Sequence, residues 1–239
     1  MEIKECKTAA ILPNPYRKID RYKLDADKIE ALIQSYGSTG FWDGSIQARP
    51  TKNGKVEIAF GHHRVEAARQ TGIKTLGLSV GPLTNETMLR MMADENREEF
   101  KHDRLVSMET IAAVVEAYGA GDIELEPVPR DTRKDLIYEV TGVTSSKPYT
   151  LATISRFLGW VNPSDGKASH SCRSAFDLYR ASGAVQEAVQ TLPSNKRTGE
   201  ATDTVRRSAK VARAVALLHD TTPARVGPPS QPLVHDTTA

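Results

Sequence analysis

The residues best suited to chemistry lie in the stretch Val56-Glu57-Ile58-Ala59-Phe60-Gly61-His62-His63-Arg64-Val65-Glu66-Ala67-Ala68. Val56–Phe60 alternates as a strand does, and the spacing predicts an Ala-rich helix from His62 to Gln70 with Gly72 as its stop. Gly61 at the junction lets the backbone come close to a ligand, because no side chain stands in the way. The first amides of the helix have no internal partner and sit at the positive end of its dipole, an arrangement that receives phosphate. Arg64, one turn in, can clamp phosphate oxygens through two parallel hydrogen bonds. Adjacent histidines on a helix cannot both face one metal ion. His62 and His63 can instead donate hydrogen bonds to phosphate, or His62 can carry a proton near neutral pH. Strand–glycine–helix junctions are common, so a polar helix start with no ligand remains the competing reading.

The elements that must position this turn read as mixed α/β up to about residue 100 and as nearly all helix beyond. Ala9–Leu12 is a short apolar run stopped by Pro13-Asn14-Pro15, which suits a strand entering a turn. Asp25 is predicted to cap a helix carrying Ile29, Leu32, Ile33 and Tyr36, ended by Gly37. Ser45–Arg49 and Val56–Phe60 read as two strands joined through Asn53-Gly54, a strong hairpin signal. Leu76–Val80 is a further strand, and Thr84 or Asn85 begins a helix with Met88, Leu89 and Met92. Beyond Phe100 no strand is predicted. Ser107 can cap a helix ended by Gly119, Gly119–Arg130 reads as an exposed loop, and a helix is expected through Leu136, Ile137 and Val140. Tyr149–Leu158 and Ser171–Ala181 read as two more helices, residues 196–219 as another with a basic first half, and the Pro-rich last twenty residues as disordered.

Composition narrows the class. With 39% hydrophobic and 26% charged residues, the chain has the balance of a globular protein with a real core. No run approaches the ~20 apolar residues of a membrane-spanning helix, and the charged start reads as no signal peptide. Cys6 and Cys172 have neither metal-ligand spacing nor the number for a disulfide framework, so a reducing cytoplasm is expected. Residues 151–239 hold 11 Lys/Arg against 7 Asp/Glu, whereas residues 1–150 hold 21 against 23. A basic C-terminal part fits contact with phosphate backbones, although a plain solvated surface would look similar. Neither a P-loop nor a dinucleotide-binding glycine fingerprint occurs.

The order Pro13-Asn14-Pro15-Tyr16-Arg17, an amphipathic helix near Gly37, Ile46-Gln47-Ala48-Arg49-Pro50, Phe60-Gly61-His62-His63-Arg64 with Ala67-Ala68, and Asp94-Glu95-Asn96-Arg97-Glu98-Glu99-Phe100 resembles the ParB/sulfiredoxin superfamily over roughly residues 8–100. The resemblance implies a nucleoside triphosphate, CTP or ATP, with Mg2+. Gly61, His62, His63 and Arg64 would form the phosphate turn, and Gln47 and Arg49 would lie near base or sugar. Asn96 and Arg97 would approach the phosphates, Glu95 and Asn96 the metal. Glu95 and His62 would be the catalytic candidates of a weak NTPase, CTPase-like, or of a nuclease. The chain departs from the Gly-Glu-Arg-Arg-x-Arg-Ala pattern of the partitioning proteins at His62, His63 and Glu66, and Glu99 stands where their second segment has Arg. Fewer cations and a lost acid leave base preference and hydrolysis open. Sulfiredoxins read Phe-Gly-Gly-Cys-His-Arg at the turn; the missing cysteine argues against sulfinic-acid reduction.

ParB proteins follow this domain with a helix-turn-helix. Here the helix ending at Gly159-Trp160 and the helix within Lys167–Arg180 would supply it, with Arg156, Lys167, Ser169, His170, Arg173 and Arg180 offered to DNA. The connection exceeds the usual 3–4 residues, so a plain helical hairpin competes. Trp160 reads as core. The expected architecture is α+β: a ParB/sulfiredoxin-like nucleotide-binding domain at 1–104, a helical region with a helix-turn-helix at 105–195, a basic helix at 196–219 and a tail at 220–239. The leading functional expectation is a homodimeric DNA-binding protein of a phage or plasmid whose grip is regulated by a nucleotide. A nuclease or nucleotide-dependent enzyme, and a repressor with a degenerate pocket, are the alternatives.

Overall fold

Strands β1 (Glu2–Lys7), β2 (Ile11–Leu12), β3 (Gln47–Pro50), β4 (Val56–Ile58) and β5 (Thr75–Val80) form one sheet in the order β1-β5-β3-β4-β2. This computed structural model describes residues 1–21, 23–95, 103–126, 138–140, 147–181 and 183–190. The β3–β4 pair is the predicted antiparallel hairpin, with Gly54 in the left-handed conformation its turn demands. β3 runs parallel to β5 and β2 parallel to β4. Ile11, Ile46, Ala48, Ile58, Leu76 and Leu78 point from these strands into one core with Val65 and Ala68. Every second residue, Gln47, Arg49 and Glu57 among them, faces the other side.

β1 is the strand that periodicity does not announce. Its residues Glu-Ile-Lys-Glu-Cys-Lys are mostly charged and exposed, yet they pair antiparallel with β5 along their full length. An edge strand needs no apolar face of its own, and charge there discourages pairing with other chains.

Helix α1 (Ala26–Thr39) is capped by Asp25, whose carboxylate accepts from the amides of Asp27 and Lys28. It runs past Gly37 and stops at Gly40, the glycine with a positive φ. Helix α2 (His62–Gln70) has the predicted bounds. Helix α3 (Asn85–Glu95) starts after Thr84, whose hydroxyl accepts from the Thr87 amide.

Helix α4 (Arg104–Ala120) begins earlier than its sequence suggests. Asp103, not Ser107, is the cap, and Gly121, not Gly119, ends it. Ser107 lies inside the helix, its hydroxyl bonded back to the Asp103 carbonyl. The helix is buried nearly all round, so its apolar residues mark no single face and its ends are poorly signalled. The segment after it is not an exposed loop throughout, since Ile123 and Leu125 are buried in the same core.

Beyond α4 the chain is not purely helical. β6 (Tyr138–Val140) and β7 (Lys147–Tyr149) pair antiparallel as a two-stranded sheet, so the helix expected through Val140 gives way to a strand there. Leu136 and Ile137 lie outside the described residues. Helix α5 (Leu151–Phe157) opens with a reciprocal capping box between Thr150 and Thr153. Helix α6 (His170–Tyr179) and helix α7 (Gly183–Gln190) follow, α7 unforeseen from sequence. α6 packs chiefly on α4, and Trp160 is buried in the core they share, as expected. The mixed α/β N-terminal sheet and the largely helical remainder are the α+β architecture expected. Residues 196–219 and 220–239 lie outside the described residues.

Candidate functional site

The turn between β4 and α2 is held by a side chain that sequence reasoning passed over. Asn14, from Pro13-Asn14-Pro15, is buried and donates to the carbonyls of Ala59 and Met88 at 2.8 and 3.1 Å. Its own oxygen accepts from the Tyr16 amide at 3.0 Å. One amide thus ties the loop after β2, the end of β4 and helix α3 together. The signal available was an Asn between two prolines, a residue held to extended backbone whose side chain can both donate and accept.

Gly61 caps α2 with φ 88°, and no side chain caps that helix end. A Cβ at this position would lie 2.9 Å from the Cδ1 and Cγ1 of Ile46, so both conformation and space require glycine. The Gly61 amide donates to Oε2 of Glu95 at 3.1 Å. Arg64 donates through one nitrogen to Oε1 of Glu95 at 3.2 Å and through the other to the Ser45 carbonyl at 2.9 Å. Its guanidinium also lies over the Phe60 ring, 5.6 Å from the centroid. A backbone amide and a fixed guanidinium therefore converge on one anionic group, which here is the chain's own carboxylate.

The two histidines face elsewhere. His62 is buried, and its Nε2 accepts from the Asn14 amide at 3.1 Å. Burial above all, then the charges of Arg17 and His63, pushes its pKa down to about 3. The imidazole stays neutral at physiological pH, an environment that suits a fixed acceptor and not a proton carrier. His63 is half-buried, and its Nε2 accepts from the Asp25 amide at 3.0 Å. The pair fastens both ends of the segment between Asn14 and Asp25 to the start of α2.

Gln47 and Arg49 sit on the opposite side of β3 from Ile46 and Ala48. Arg49 bonds Glu57 at 2.8 Å and Asn85 at 2.8 Å, and lines a cleft of about 400 Å³ with Tyr16, Lys18, Glu116 and Asp122. Burial, followed by the charge of Asp122, pushes the Tyr16 hydroxyl up to about 12. None of Gly61, His62, His63, Arg64 or Glu95 lines that cleft. The structure brings Gly61, Arg64 and Glu95 together and leaves Arg49 apart from them. Asn96 and Arg97 lie outside the described residues. Among the described residues no group of three His, Cys, Asp or Glu side chains is placed to hold a metal. A single carboxylate such as Glu95 would suit a magnesium ion that takes its other ligands from water and a bound ligand, not a metal held by protein alone.

In the helical part, Arg156, Lys167, His170, Arg173 and Arg180 are exposed. Cys172, Ala175, Phe176 and Leu178 carry the buried face of α6, so its outer face holds Arg173 and Arg180 along with Asp177. Ser169 is half-buried and serves as the N-cap of α6, accepting from the Cys172 amide at 3.1 Å. Lys167 lies 3.9 Å from Asp165.

Residues 1–97 match the family model of the ParB N-terminal domain. No curated protein matches the chain. Among solved structures, a Pnob8-like ParB-N domain has 10% identity and a TM-score of 0.55, over 93% of this chain and 86% of its own. The C-terminally truncated chromosome-partitioning protein ParB from Caulobacter crescentus, complexed to the centromeric parS site, is 17% identical over 90% of this chain and 91% of its own, with a TM-score of 0.46. The same protein complexed with CTP-gamma-S is 17% identical over 91% and 99%, with a TM-score of 0.36. Sulfiredoxin from Arabidopsis thaliana is 23% identical over 38% of this chain and 97% of its own, with a TM-score of 0.31. The sheet, the glycine turn and the family match define a ParB-type fold. Residues 1–97 are thus similar to a ParB N-terminal domain, and the fold is that of the Pnob8-like ParB-N structure.

Proposed function

We propose that this chain is a ParB-like DNA-binding protein in which a nucleoside triphosphate, CTP or ATP with Mg2+, seats its phosphates on the Gly61–Arg64 turn and regulates the grip on DNA. The observation that carries the reading is the convergence of the Gly61 amide and the Arg64 guanidinium on one anion. The Caulobacter protein was seen with parS and with CTP-gamma-S, and the same two classes of ligand are proposed here. DNA would meet the exposed cations Arg156, Lys167, His170, Arg173 and Arg180, with α5 and α6 as the helix-turn-helix. Linkage supplies the logic: a nucleotide that prefers one conformation shifts the population toward it, and DNA affinity follows. No described helix is long and apolar enough to cross a membrane. A cytoplasmic setting, a homodimer, and a nucleotide-binding unit at 1–104 ahead of a DNA-binding unit at 105–195 belong to the same proposal.

The test is calorimetric titration with CTP, ATP, GTP and UTP plus magnesium, for the wild type and for Arg64→Ala. One nucleotide should bind, and the substitution should abolish it. No binding to any of the four by folded protein would overturn the nucleotide reading and leave a DNA-binding regulator on a borrowed fold. Against the hydrolytic alternatives stands the burial of His62, whose Nε2 is taken by the Asn14 amide, so that among the described residues it offers Glu95 no partner group.

A further inference from the structure

Glu95 occupies the place where a phosphate would be received. Its two carboxylate oxygens each take one donor of the turn, Oε2 the Gly61 amide at 3.1 Å and Oε1 the Arg64 guanidinium at 3.2 Å. The donors are set independently of it: Gly61 by its conformation and by Ile46, Arg64 by the Ser45 carbonyl and the Phe60 ring. Glu95 is the less constrained partner. Its side chain is 28% exposed, and the described structure holds it only through these two donors. A carboxylate in that position is kept there by the turn, and it is accessible to a competing anion.

We infer that Glu95 is a built-in competitor, a latch that fills the turn in the free protein and must leave before phosphate enters. The inference rests on the proposed nucleotide site and adds how that site is regulated. An entering polyphosphate takes over the Gly61 and Arg64 donors, and the released carboxylate then stands beside it with like charge. Magnesium, when bound, would be held by Glu95 and would supply the positive charge that offsets that repulsion. Binding to the wild type is therefore strongly dependent on magnesium. Neutralising Glu95 removes both the competitor and the repulsion.

The experiment is the affinity for inorganic triphosphate and for CTP, each with magnesium and with EDTA, in wild type, Glu95→Gln, Glu95→Asp and Arg64→Ala. Circular dichroism of each variant establishes that it is folded. Without magnesium, Glu95→Gln should bind about tenfold more tightly than wild type, and its affinity should gain little when magnesium is added. Glu95→Asp, one methylene shorter, should fall between them. Equal or weaker binding by Glu95→Gln in EDTA, with Arg64→Ala still abolishing it, would overturn the latch and leave the phosphate turn standing. Absence of binding in wild type and Glu95→Gln alike would overturn the site and the latch together.

Discussion

Asn14 offers the most direct test of how the turn is assembled. Its side chain is 1% exposed and makes three hydrogen bonds, to the carbonyls of Ala59 and Met88 and from the amide of Tyr16. At a net value of about 1 kcal/mol each, Asn14→Ala should cost about 3 kcal/mol, more if the abandoned groups stay dry. For a chain of this size that is roughly 6–12 °C in Tm. Asn14→Asp separates hydrogen bonding from packing, because an ionised carboxylate is nearly isosteric but has no donor. Both carbonyls would face a negative charge, so Asn14→Asp should be less stable than Asn14→Ala at pH 7. Burial raises the folded-state pKa of the introduced carboxyl above its unfolded value of about 4. Relative to Asn14→Ala, the Asp variant should therefore be at its best below about pH 4 and lose stability as pH rises through the folded-state pKa. Urea denaturation of the three proteins across pH measures all of this. A cost for Asn14→Ala under about 1 kcal/mol, or an Asp variant matching it at pH 7, would refute the role assigned to Asn14.

Four further outcomes follow from the geometry. His62 has its folded-state pKa pushed far below 6.5, so the unfolded chain takes up the proton first. Stability should fall by about 1.4 kcal/mol per pH unit below about 6.5 on this account, and His62→Gln, which keeps an acceptor for the Asn14 amide, should flatten that slope in denaturation curves. Gly61→Ala should destabilise by about 2–4 kcal/mol, through its left-handed backbone and the collision with Ile46, as read from thermal unfolding. Arg173→Ala should leave stability within about 0.5 kcal/mol while weakening DNA binding and reducing its salt slope by about one. Ser169→Ala, by contrast, should cost about 1 kcal/mol of stability through loss of the α6 cap.

What the sequence disclosed follows from how local each signal is. The bounds of α2, the Asn53-Gly54 hairpin and the Asp25 cap all depend on neighbours a few residues apart, and the structure has all three. β1 escaped because pairing with β5, and not an apolar face, makes it a strand. The ends of α4 escaped because burial on every side removes the amphipathic period that would mark them. In the site, Gly61 and Arg64 were legible from a local motif. That Glu95 reaches both across more than thirty residues, and that His62 turns inward to a loop amide, are tertiary facts with no local trace. Asn14 was visible as part of a resemblance, but two of its partners, the carbonyls of Ala59 and Met88, lie more than forty residues away.

The strand order has a mechanical consequence. β1 and β2 are the two outer strands, yet they are consecutive in the chain, with only residues 8–10 between Lys7 and Ile11. In a flat sheet the outer strands would stand roughly 19 Å apart, four spacings of about 4.8 Å. The link from Lys7 to Ile11 reaches at most about 14 Å even fully extended, and less when wound into a 3-10 turn as it is here. The sheet must therefore curl until its margins approach, and the link works as a drawstring. Asn14 lies two residues beyond the end of β2. The residues that close the sheet's margins and the amide that braces the glycine turn therefore belong to one short stretch of chain.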